Sequence, residues 1–293
     1  MFIRIGTRGS DLALWQANII KKRLEKNGNI VCITIIKTQG DKVQDLGFDK
    51  IEGKGFFTKE IEYALLLRNV DLAVHSQKDL ETIPKEGLIV AAVSEREDPS
   101  ELLLMTKESV DLSQVWELKL NSTIGTSSAR RKSLIVSQRS DLIIKDLRGN
   151  VPTRIQKLRE GYYDSIILAK AGVSRLDINL DEFHVVELNP KFFVPAPSQG
   201  VLALQIRENE PELLQEIKKL NHPLVEKQVL IERKVLNLMN GGCQLPLGVY
   251  CDFENIYISY AKEWSSGANL FCFPYSESAN LAQNIVDTLK RDD

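Results

Sequence analysis

The sequence predicts an α/β protein with largely parallel sheets, followed by a small α+β domain. Apolar strand-like runs alternate with longer helix-like runs, which is the order expected when helices connect parallel strands. Two segments, the charged run 95–100 and the proline-rich run 190–200, interrupt this pattern as expected where a chain leaves one lobe and returns to it. From about residue 221 the pattern changes to a long amphipathic helix and short strands rich in aromatic residues.

The individual elements follow from the spacing of the apolar residues. A strand-like run begins at the N-terminus, and Ser10 or Asp11 is expected to cap the first helix. The other strand-like runs lie at 31–37, 71–74, 88–93, 102–105, 142–145, 166–169, 185–188 and 201–206. The helix-like runs lie at 11–26, 56–67, 129–137, 151–160 and 211–220, with a last helix at 278–289.

The composition argues against several classes of protein. With 38 Lys and Arg against 40 Asp and Glu, the net charge of −2 disfavours a general nucleic-acid binder. The four cysteines form neither a CxxC pair nor a cluster with zinc-ligand spacing, so we expect no metal and a reducing, cytoplasmic location. The first residues lack a signal-peptide pattern, and no apolar stretch approaches the roughly 20 residues of a membrane span.

Three loops combine arginine with Gly, Ser or Thr, at 7–10, 125–131 and 148–154. Turns between a strand and a helix present backbone N–H groups to anions, and arginine binds planar carboxylates through paired hydrogen bonds. One such loop is equally well explained as a solvated helix end. Three of them favour a cleft for a molecule that carries several carboxylates.

The segment 75–79 places an acid and a base after an apolar strand, the usual position of a site in an open α/β sheet. Asp79 is a candidate to stay ionised near bound carboxylates or to share a proton with a cationic nitrogen. An exposed charged turn explains Lys78 and Asp79 equally well from this segment alone. His75 by itself is more typical of a packed histidine than of a catalyst.

Cys243 lies in a loop with several glycines, at 241–248. Glycine lets a thiol project without steric crowding, so this cysteine is a candidate nucleophile or attachment point. A buried, inert cysteine is the alternative. The absence of a histidine nearby in the sequence argues against a cysteine protease.

Taken in order, seven segments resemble the motifs of the porphobilinogen deaminase family. One such segment alone would be weak evidence for the family, but seven segments in the family's order are highly specific evidence. They lie at 7–16, 53–60, 75–79, 125–131, 148–154, 196–200 and 241–248.

The resemblance implies two periplasmic-binding-protein-like α/β domains and a small α+β domain that carries a cofactor. Domain 1 would contain residues 1–96 and 194–216, domain 2 residues 97–193, and the cofactor-attachment domain residues 217–293. The implied activity is that of a transferase, hydroxymethylbilane synthase. It condenses four porphobilinogen molecules head to tail on covalently bound dipyrromethane with loss of ammonia, then releases hydroxymethylbilane by hydrolysis in porphyrin and haem biosynthesis.

The resemblance also assigns roles by position. Cys243 matches the cysteine that holds dipyrromethane through a thioether, and Asp79 matches the essential carboxylate that contacts pyrrole N–H groups. A fixed anion beside a pyrrole that develops positive charge lowers the barrier. The cofactor-binding positions are Ser76, Lys78, Asp79, Thr126, Ser127, Arg130, Arg131, Lys170 and Cys243. The substrate-binding positions are Arg8, Ser10, Lys54, Arg148, Arg154 and Gln199.

Four positions depart from the residues usual in the family. Gln77 stands where Met is frequent, Glu81 where Pro usually follows, and Gln205 where Glu is common. Lys170 replaces a small residue, and we expect it to add a contact to a carboxylate. None of these departures removes a residue assigned to chemistry.

Two other classes remain as alternatives. A two-lobed protein that binds an anionic solute without chemistry would share the fold, but it has no need of Cys243 in its glycine loop. A nucleic-acid-binding α/β protein would use the arginine loops, but the acidic balance and the lack of interleaved aromatic residues disfavour it. We therefore expect porphobilinogen as the partner, a monomer, and neither a nucleic acid nor a membrane as a partner.

Overall fold

The computed structural model describes residues 1–38, 58–242 and 244–291 of the 293-residue chain. These residues form two compact units. Unit 1 contains residues 1–38, 58–97 and 199–227, and unit 2 contains residues 98–198, 228–242 and 244–291. Each unit thus combines segments that are distant in the sequence, as expected for a chain that leaves a lobe and returns to it.

Strands and helices alternate through most of the described chain. The strands are β1 (Phe2–Thr7), β2 (Ile30–Ile35), β3 (Leu72–Ser76), β4 (Leu88–Val93), β5 (Glu101–Met105), β6 (Thr123–Gly125), β7 (Ile143–Lys145), β8 (Ser165–Ala169), β9 (His184–Leu188), β10 (Leu202–Arg207), β11 (Leu247–Cys251), β12 (Asn255–Tyr260) and β13 (Asn269–Pro274). The α-helices are α1 (Asp11–Lys26), α2 (Lys59–Leu66), α3 (Ala129–Gln138), α4 (Val151–Arg159), α5 (Lys170–Arg175), α6 (Pro211–Lys218), α7 (Pro223–Leu238) and α8 (Leu281–Arg291). Strand β4 and helix α1 have their predicted bounds. The apolar pattern does not indicate β6 or α5, which are too short to show a period.

The sheets of the two units are mixed, and their strand orders correspond. The order is β2-β1-β3-β10-β4 in unit 1 and β7-β6-β8-β5-β9 in unit 2. In unit 1, β1 is parallel to β2 and β3, whereas β10 is antiparallel to β3 and β4. In unit 2, β6 is parallel to β7 and β8, whereas β5 is antiparallel to β8 and β9.

Four of the five strands in each of these sheets therefore run in the same direction, as predicted, and one strand runs against them. The two antiparallel strands, β10 and β5, each follow one of the crossing segments, 190–200 and 95–100. A parallel pair needs a long crossover connection, usually a helix, between its strands. A strand that arrives directly from a crossing is not constrained in this way and can enter the sheet in the opposite direction.

The core of unit 1 fixes α1 against the sheet. Ala17, Ile20 and Leu24 recur every three to four residues along α1 and pack with Ile3 and Ile5 of β1. Burial of each of the larger side chains contributes roughly 1.5–3 kcal/mol. Because α1 directly follows β1, this packing holds the start of the helix at the carboxyl end of that strand.

A small third sheet forms the C-terminal domain within unit 2. Strands β11, β12 and β13 pair in that order, and all of their pairings are antiparallel. Val249 and Ile258 of this sheet share a buried cluster with Ile285 and Val286 of α8. The predicted fold class, α/β followed by a small α+β domain, is confirmed in this respect. Among the described residues, no helix is both long and apolar enough to span a bilayer.

Candidate functional site

The first group of candidate residues lies at one edge of the unit 1 sheet. Strands β1 and β3 are parallel neighbours, so the residues that follow them meet at their shared carboxyl edge. Arg8 follows β1, and Ser76 and Asp79 lie at the end of β3. All three line one cavity, whose full lining is Thr7, Arg8, Ala13, Gln16, Thr58, Ile61, Val74, His75, Ser76 and Asp79.

Two predicted serines of this edge have partners inside the protein. The Ser10 Oγ caps α1 by accepting a hydrogen bond from the Ala13 N–H at 3.4 Å. The buried Gln16 donates from its Nε2 to the Ser76 Oγ at 3.0 Å. Sequence reasoning missed Gln16, although it is a polar residue on the apolar face of α1, which is the signal that could have identified it.

The Lys78–Asp79 turn is held to the segment that precedes β10. Gln77 to Asp79 form a short 3-10 helix, and the Gln77 N–H donates to the Val201 carbonyl at 2.9 Å. The Lys78 Nζ donates to the Gln199 Oε1 at 3.1 Å, so two predicted site residues come together. Within the described ranges, no hydrogen bond or ion pair joins the half-buried Asp79 carboxylate to another residue.

Gly200 positions Gln199 through its backbone. Its φ is +89°, and a Cβ at this position would lie 2.2 Å from the Glu97 carbonyl oxygen. The Glu97 N–H donates to the Gly200 carbonyl at 3.0 Å, and the Arg96 Nε donates to the Gln199 carbonyl at 3.0 Å. Only glycine satisfies both this conformation and this close approach.

A chain of buried polar side chains lies behind the cavity. The His75 Nε2 is 3.1 Å from the Gln205 Oε1, and the Gln205 Nε2 donates to the Glu62 Oε1 at 3.0 Å. Burial lowers the pKa of His75 to about 4. Burial also raises the pKa of Glu62, against the opposing effect of the hydrogen bond from Gln205. The expectation that His75 is a packed histidine agrees with this burial, and the residue is also part of the cavity lining.

The second group of candidate residues lies at the corresponding edge of the unit 2 sheet. Strands β6, β7 and β8 run parallel. Thr126 and Ser127 follow β6, Arg148 lies in the loop after β7, and Lys170 begins α5 directly after β8. The Ser127 Oγ accepts from the Leu147 N–H at 3.1 Å and lies 3.2 Å from the Leu147 carbonyl oxygen. The loops that follow β6 and β7 are therefore hydrogen-bonded to each other.

Arg130 and Arg131 are buried and share one carboxylate. Arg131 binds Glu101 through two hydrogen bonds, from its Nε at 3.1 Å and its Nη2 at 2.7 Å, and Arg130 donates from its Nη2 at 2.5 Å. Arg130 also donates to the Val194 carbonyl, and Arg131 also donates to the Ile167 carbonyl, both at 2.8 Å. Burial lowers the pKa of Arg130, and Glu101 opposes this effect. Sequence reasoning missed Glu101, a charged residue at the start of an apolar strand.

Lys170 and the arginines of the 148–154 loop also have partners within unit 2. The Lys170 Nζ lies 2.6 Å from the Asp98 Oδ2 and 2.5 Å from the Glu187 Oε2. Burial lowers the pKa of Lys170, but these two carboxylates outweigh it and the net shift is upward. The Arg154 Nε donates to the Gly149 carbonyl at 2.7 Å, and the Arg148 carbonyl accepts from the Lys157 Nζ at 3.3 Å.

Two predicted site residues, Lys54 and Cys243, lie outside the described residues. The strand that follows Cys243 is anchored within unit 2. The Val249 N–H donates to the Pro195 carbonyl at 3.1 Å, and the buried Glu232 accepts from the Ser198 N–H at 2.7 Å and the Cys251 N–H at 3.0 Å. Within the ranges that the structure covers, no three His, Cys, Asp or Glu residues are grouped as metal ligands. The expectation of no metal stays a prediction.

Comparison with known sequences gives consistent results. A family model described as porphobilinogen deaminase, dipyromethane cofactor binding domain, matches residues 3–215, and one described as porphobilinogen deaminase, C-terminal domain, matches residues 227–260. A porphobilinogen deaminase of Sulfurimonas denitrificans is 44% identical over 84% of this chain and 77% of its own length. A porphobilinogen deaminase of Bacillus subtilis is 44% identical over 85% and 78%. A probable porphobilinogen deaminase of Methanocaldococcus jannaschii is 41% identical over 86% and 83%.

Among solved structures, similar chains include binding proteins. An ancestral arginine-binding protein bound to arginine is 16% identical with a TM-score of 0.42, covering 77% of this chain and 91% of that chain. The periplasmic VFT2 domain of BvgS from Bordetella pertussis is 11% identical with a TM-score of 0.45, covering 74% and 86%.

Proposed function

The chain belongs to the porphobilinogen deaminase family, and we propose that it catalyses the family's reaction: it condenses four porphobilinogen molecules head to tail on covalent dipyrromethane, with loss of ammonia, and then releases hydroxymethylbilane by hydrolysis. The observation that carries this proposal is the match of the two family models to residues 3–215 and 227–260. Relatives that are 41–44% identical over most of the chain support it.

The side chains at the unit 2 edge fit a cofactor that carries carboxylates. Each guanidinium offers five N–H donors, more than the two that Arg130 and the three that Arg131 use in the bonds above. Dipyrromethane, when attached to Cys243, supplies the pyrrole carbon on which the chain grows. The residues that would hold it are Cys243, Thr126, Ser127, Arg130, Arg131, Lys170, Ser76, Lys78 and Asp79.

Asp79 is proposed to be the catalytic carboxylate. When porphobilinogen loses ammonia, its C–N bond breaks, the electron pair leaves with the protonated amine, and positive charge spreads over the pyrrole. Asp79 would accept a hydrogen bond from the pyrrole N–H and stabilise that charge as it develops. Its lack of a bonded partner among the described residues, together with its place in the cavity wall, supports this role.

The substrate's acetate and propionate groups require cationic and hydrogen-bonding partners. We propose Arg8, Ser10 and Gln199 in unit 1, Arg148 and Arg154 in unit 2, and Lys54, which lies outside the described residues. Arginine suits this role because its planar fork matches a carboxylate. With a net charge of only −2, the chain can attract an anionic substrate only through such local clusters.

The domain limits and the setting of the enzyme are part of the same proposal. We propose domains at residues 1–96 with 194–216, 97–193, and 217–293, and the three separate sheets support this division. We also propose a cytoplasmic monomer whose partner is porphobilinogen, without a nucleic acid or a membrane.

The intact mass of the purified protein tests the proposal. It should exceed the mass calculated from the sequence by one dipyrromethane, and the active protein should consume porphobilinogen and release ammonia. Cys243→Ser should lose both the added mass and the activity. The matched control is Cys272→Ser, which removes an exposed thiol on β13 and should change neither. An unmodified mass in active protein would refute the cofactor, and unchanged porphobilinogen would favour a solute-binding protein.

A further inference from the structure

The chain of Glu62, Gln205 and His75 determines which ring nitrogen of His75 carries a proton. All three side chains are at least nine-tenths buried, so water does not satisfy their polar atoms. The Gln205 Nε2 donates to the Glu62 Oε1 at 3.0 Å, so the amide has its NH₂ group toward Glu62 and its oxygen on the other side. The Gln205 oxygen then faces the His75 Nε2 at 3.1 Å, and that nitrogen must be the donor.

The position of His75 connects this chain to the cavity. His75 lies on β3, one residue before Ser76, and both residues line the cavity together with Arg8 and Asp79. A positive charge on the imidazole would therefore add to that of Arg8 in the same wall. It would oppose the positive charge that develops on a pyrrole held beside Asp79.

We propose that Gln205 is a positioning residue that fixes the buried, neutral His75 as the Nε2–H tautomer in the wall of the Asp79 cavity. The effect on rate rests on the proposed function, whereas the state of the ring does not. A neutral amide facing the imidazole provides a hydrogen bond without the charge that would favour imidazolium. Gln205 lies on β10, His75 lies on β3, and the pairing of these two strands brings the two residues together. In this pairing His75 lies opposite Ala203, and Val74 lies opposite Leu204.

The charged groups around the ring are consistent with a neutral imidazole. Glu62 on α2 is linked to His75 through the Gln205 amide, and Arg8 and Asp79 line the same cavity as His75. Lys85 lowers and Glu81 raises the pKa of Glu62 at longer range, after the larger effects of burial and the Gln205 hydrogen bond. Burial lowers the pKa of His75 to about 4, so its ring stays neutral when the pH falls through the range in which an exposed histidine becomes charged.

Nitrogen NMR of the histidine rings tests the state of His75 without any measurement of activity. The chain has only three histidines, so His184→Gln and His222→Gln identify the remaining signal in the otherwise unaltered protein. We expect His75 to be a neutral Nε2–H ring from pH 8 down to about pH 5, given its pKa of about 4. An imidazolium or an Nδ1–H tautomer near pH 7 would overturn the proposal, whatever the chain catalyses.

An exchange of two residues tests the link to the reaction. The double variant Glu62→Gln/Gln205→Glu keeps the number of charges but places the carboxylate directly against His75. We expect His75 to titrate near neutral pH and kcat to fall roughly tenfold where the ring is charged, with recovery as the pH rises. The matched control is Glu62→Gln alone, which should leave His75 neutral and create no such pH dependence.

The two arms of the experiment separate the possible failures. A neutral Nε2–H ring in a protein without deaminase activity would refute the proposed function and leave the role of Gln205 in place. A charged ring in the double variant with an unchanged kcat would show that the charge of His75 does not matter to the reaction. That result would overturn the functional part of the inference.

Discussion

The carboxyl edges of the two α/β sheets have the same topology and different chemistry. In each sheet four strands run in the same direction and the fifth, which follows a crossing segment, is inserted antiparallel. The edge in unit 1 carries Asp79, which has no bonded partner among the described residues. The edge in unit 2 carries two buried arginines whose charges are partly neutralised by Glu101. Topology therefore determines where groups meet, and the residues in the loops determine the charge that is presented.

This difference gives the two carboxylates separate roles, Glu101 in stability and Asp79 in catalysis. Glu101 is fully buried and bonded to both guanidinium groups, so its charge contributes to folding. Asp79 is half-buried and lines a cavity, so its charge remains available for a ligand. Substitution of Glu101 should therefore lower stability, whereas substitution of Asp79 should lower turnover and spare stability.

The largest effect is expected for Glu101→Gln. Loss of this charge leaves two buried arginines without a counter-ion, and we expect the free energy of unfolding to fall by about 3–5 kcal/mol. Urea unfolding monitored by circular dichroism measures the change. The matched control is Glu182→Gln, because Glu182 also binds an arginine, Arg159, through two hydrogen bonds, but on the surface. An equally large loss in the control would remove the distinction between buried and exposed pairs.

Asp79→Asn should lower turnover and leave the stability of the protein nearly unchanged. We expect kcat to fall on the order of 10²–10³-fold, because the anion that stabilises the developing pyrrole cation is gone. The unfolding transition should stay nearly unchanged, because the carboxylate has no bonded partner among the described residues. The rate of porphobilinogen consumption and the urea midpoint measure the two quantities. Glu86→Gln neutralises an exposed acid of the same unit and should alter neither; near-normal turnover of Asp79→Asn would exclude Asp79 as the key group.

The smallest of these effects concerns the way the inserted strand enters the unit 1 sheet. Gly200→Ala should destabilise the protein by about 2–3 kcal/mol, because φ is +89° and a Cβ would lie 2.2 Å from the Glu97 carbonyl oxygen. Gly28→Ala is the control, because it has a similar φ of +86° but no atom within 4 Å of the added Cβ. It should cost about 1 kcal/mol from backbone strain alone. Equal losses for both variants would show that the contact with Glu97 is unimportant.

In unit 2 the corresponding strand, β5, enters its sheet without a glycine before it. The Ser100 N–H, one residue before β5, donates to the Asp98 Oδ1 at 2.8 Å. Asp98 also binds Lys170 through its other oxygen, so this turn is linked to the first residue of α5, directly after β8. The two inserted strands therefore share a place in the sheet but depend on different local interactions.

Much of the candidate site could be located from the sequence because its parts are local. The turns that carry Arg8, Asp79, Ser127 and Arg148 each follow a strand, and strand ends can be recognised from short apolar runs. Parallel pairing then brings neighbouring strand ends to one edge. The roles of these residues stay predictions, and Lys54 and Cys243 lie outside the residues that the structure describes.

The sequence by itself determined the fold class, most elements and the candidate motifs, because periodicity, turn residues and motif order are properties of neighbouring residues. Only the tertiary structure decided that β5 and β10 run antiparallel, that Glu101 neutralises two arginines, and that Gln205 faces His75. Glu101 lies 30 residues from Arg131, and Gln205 lies 130 residues from His75. Contacts over such separations depend on how strands pair and pack, and no local pattern records that.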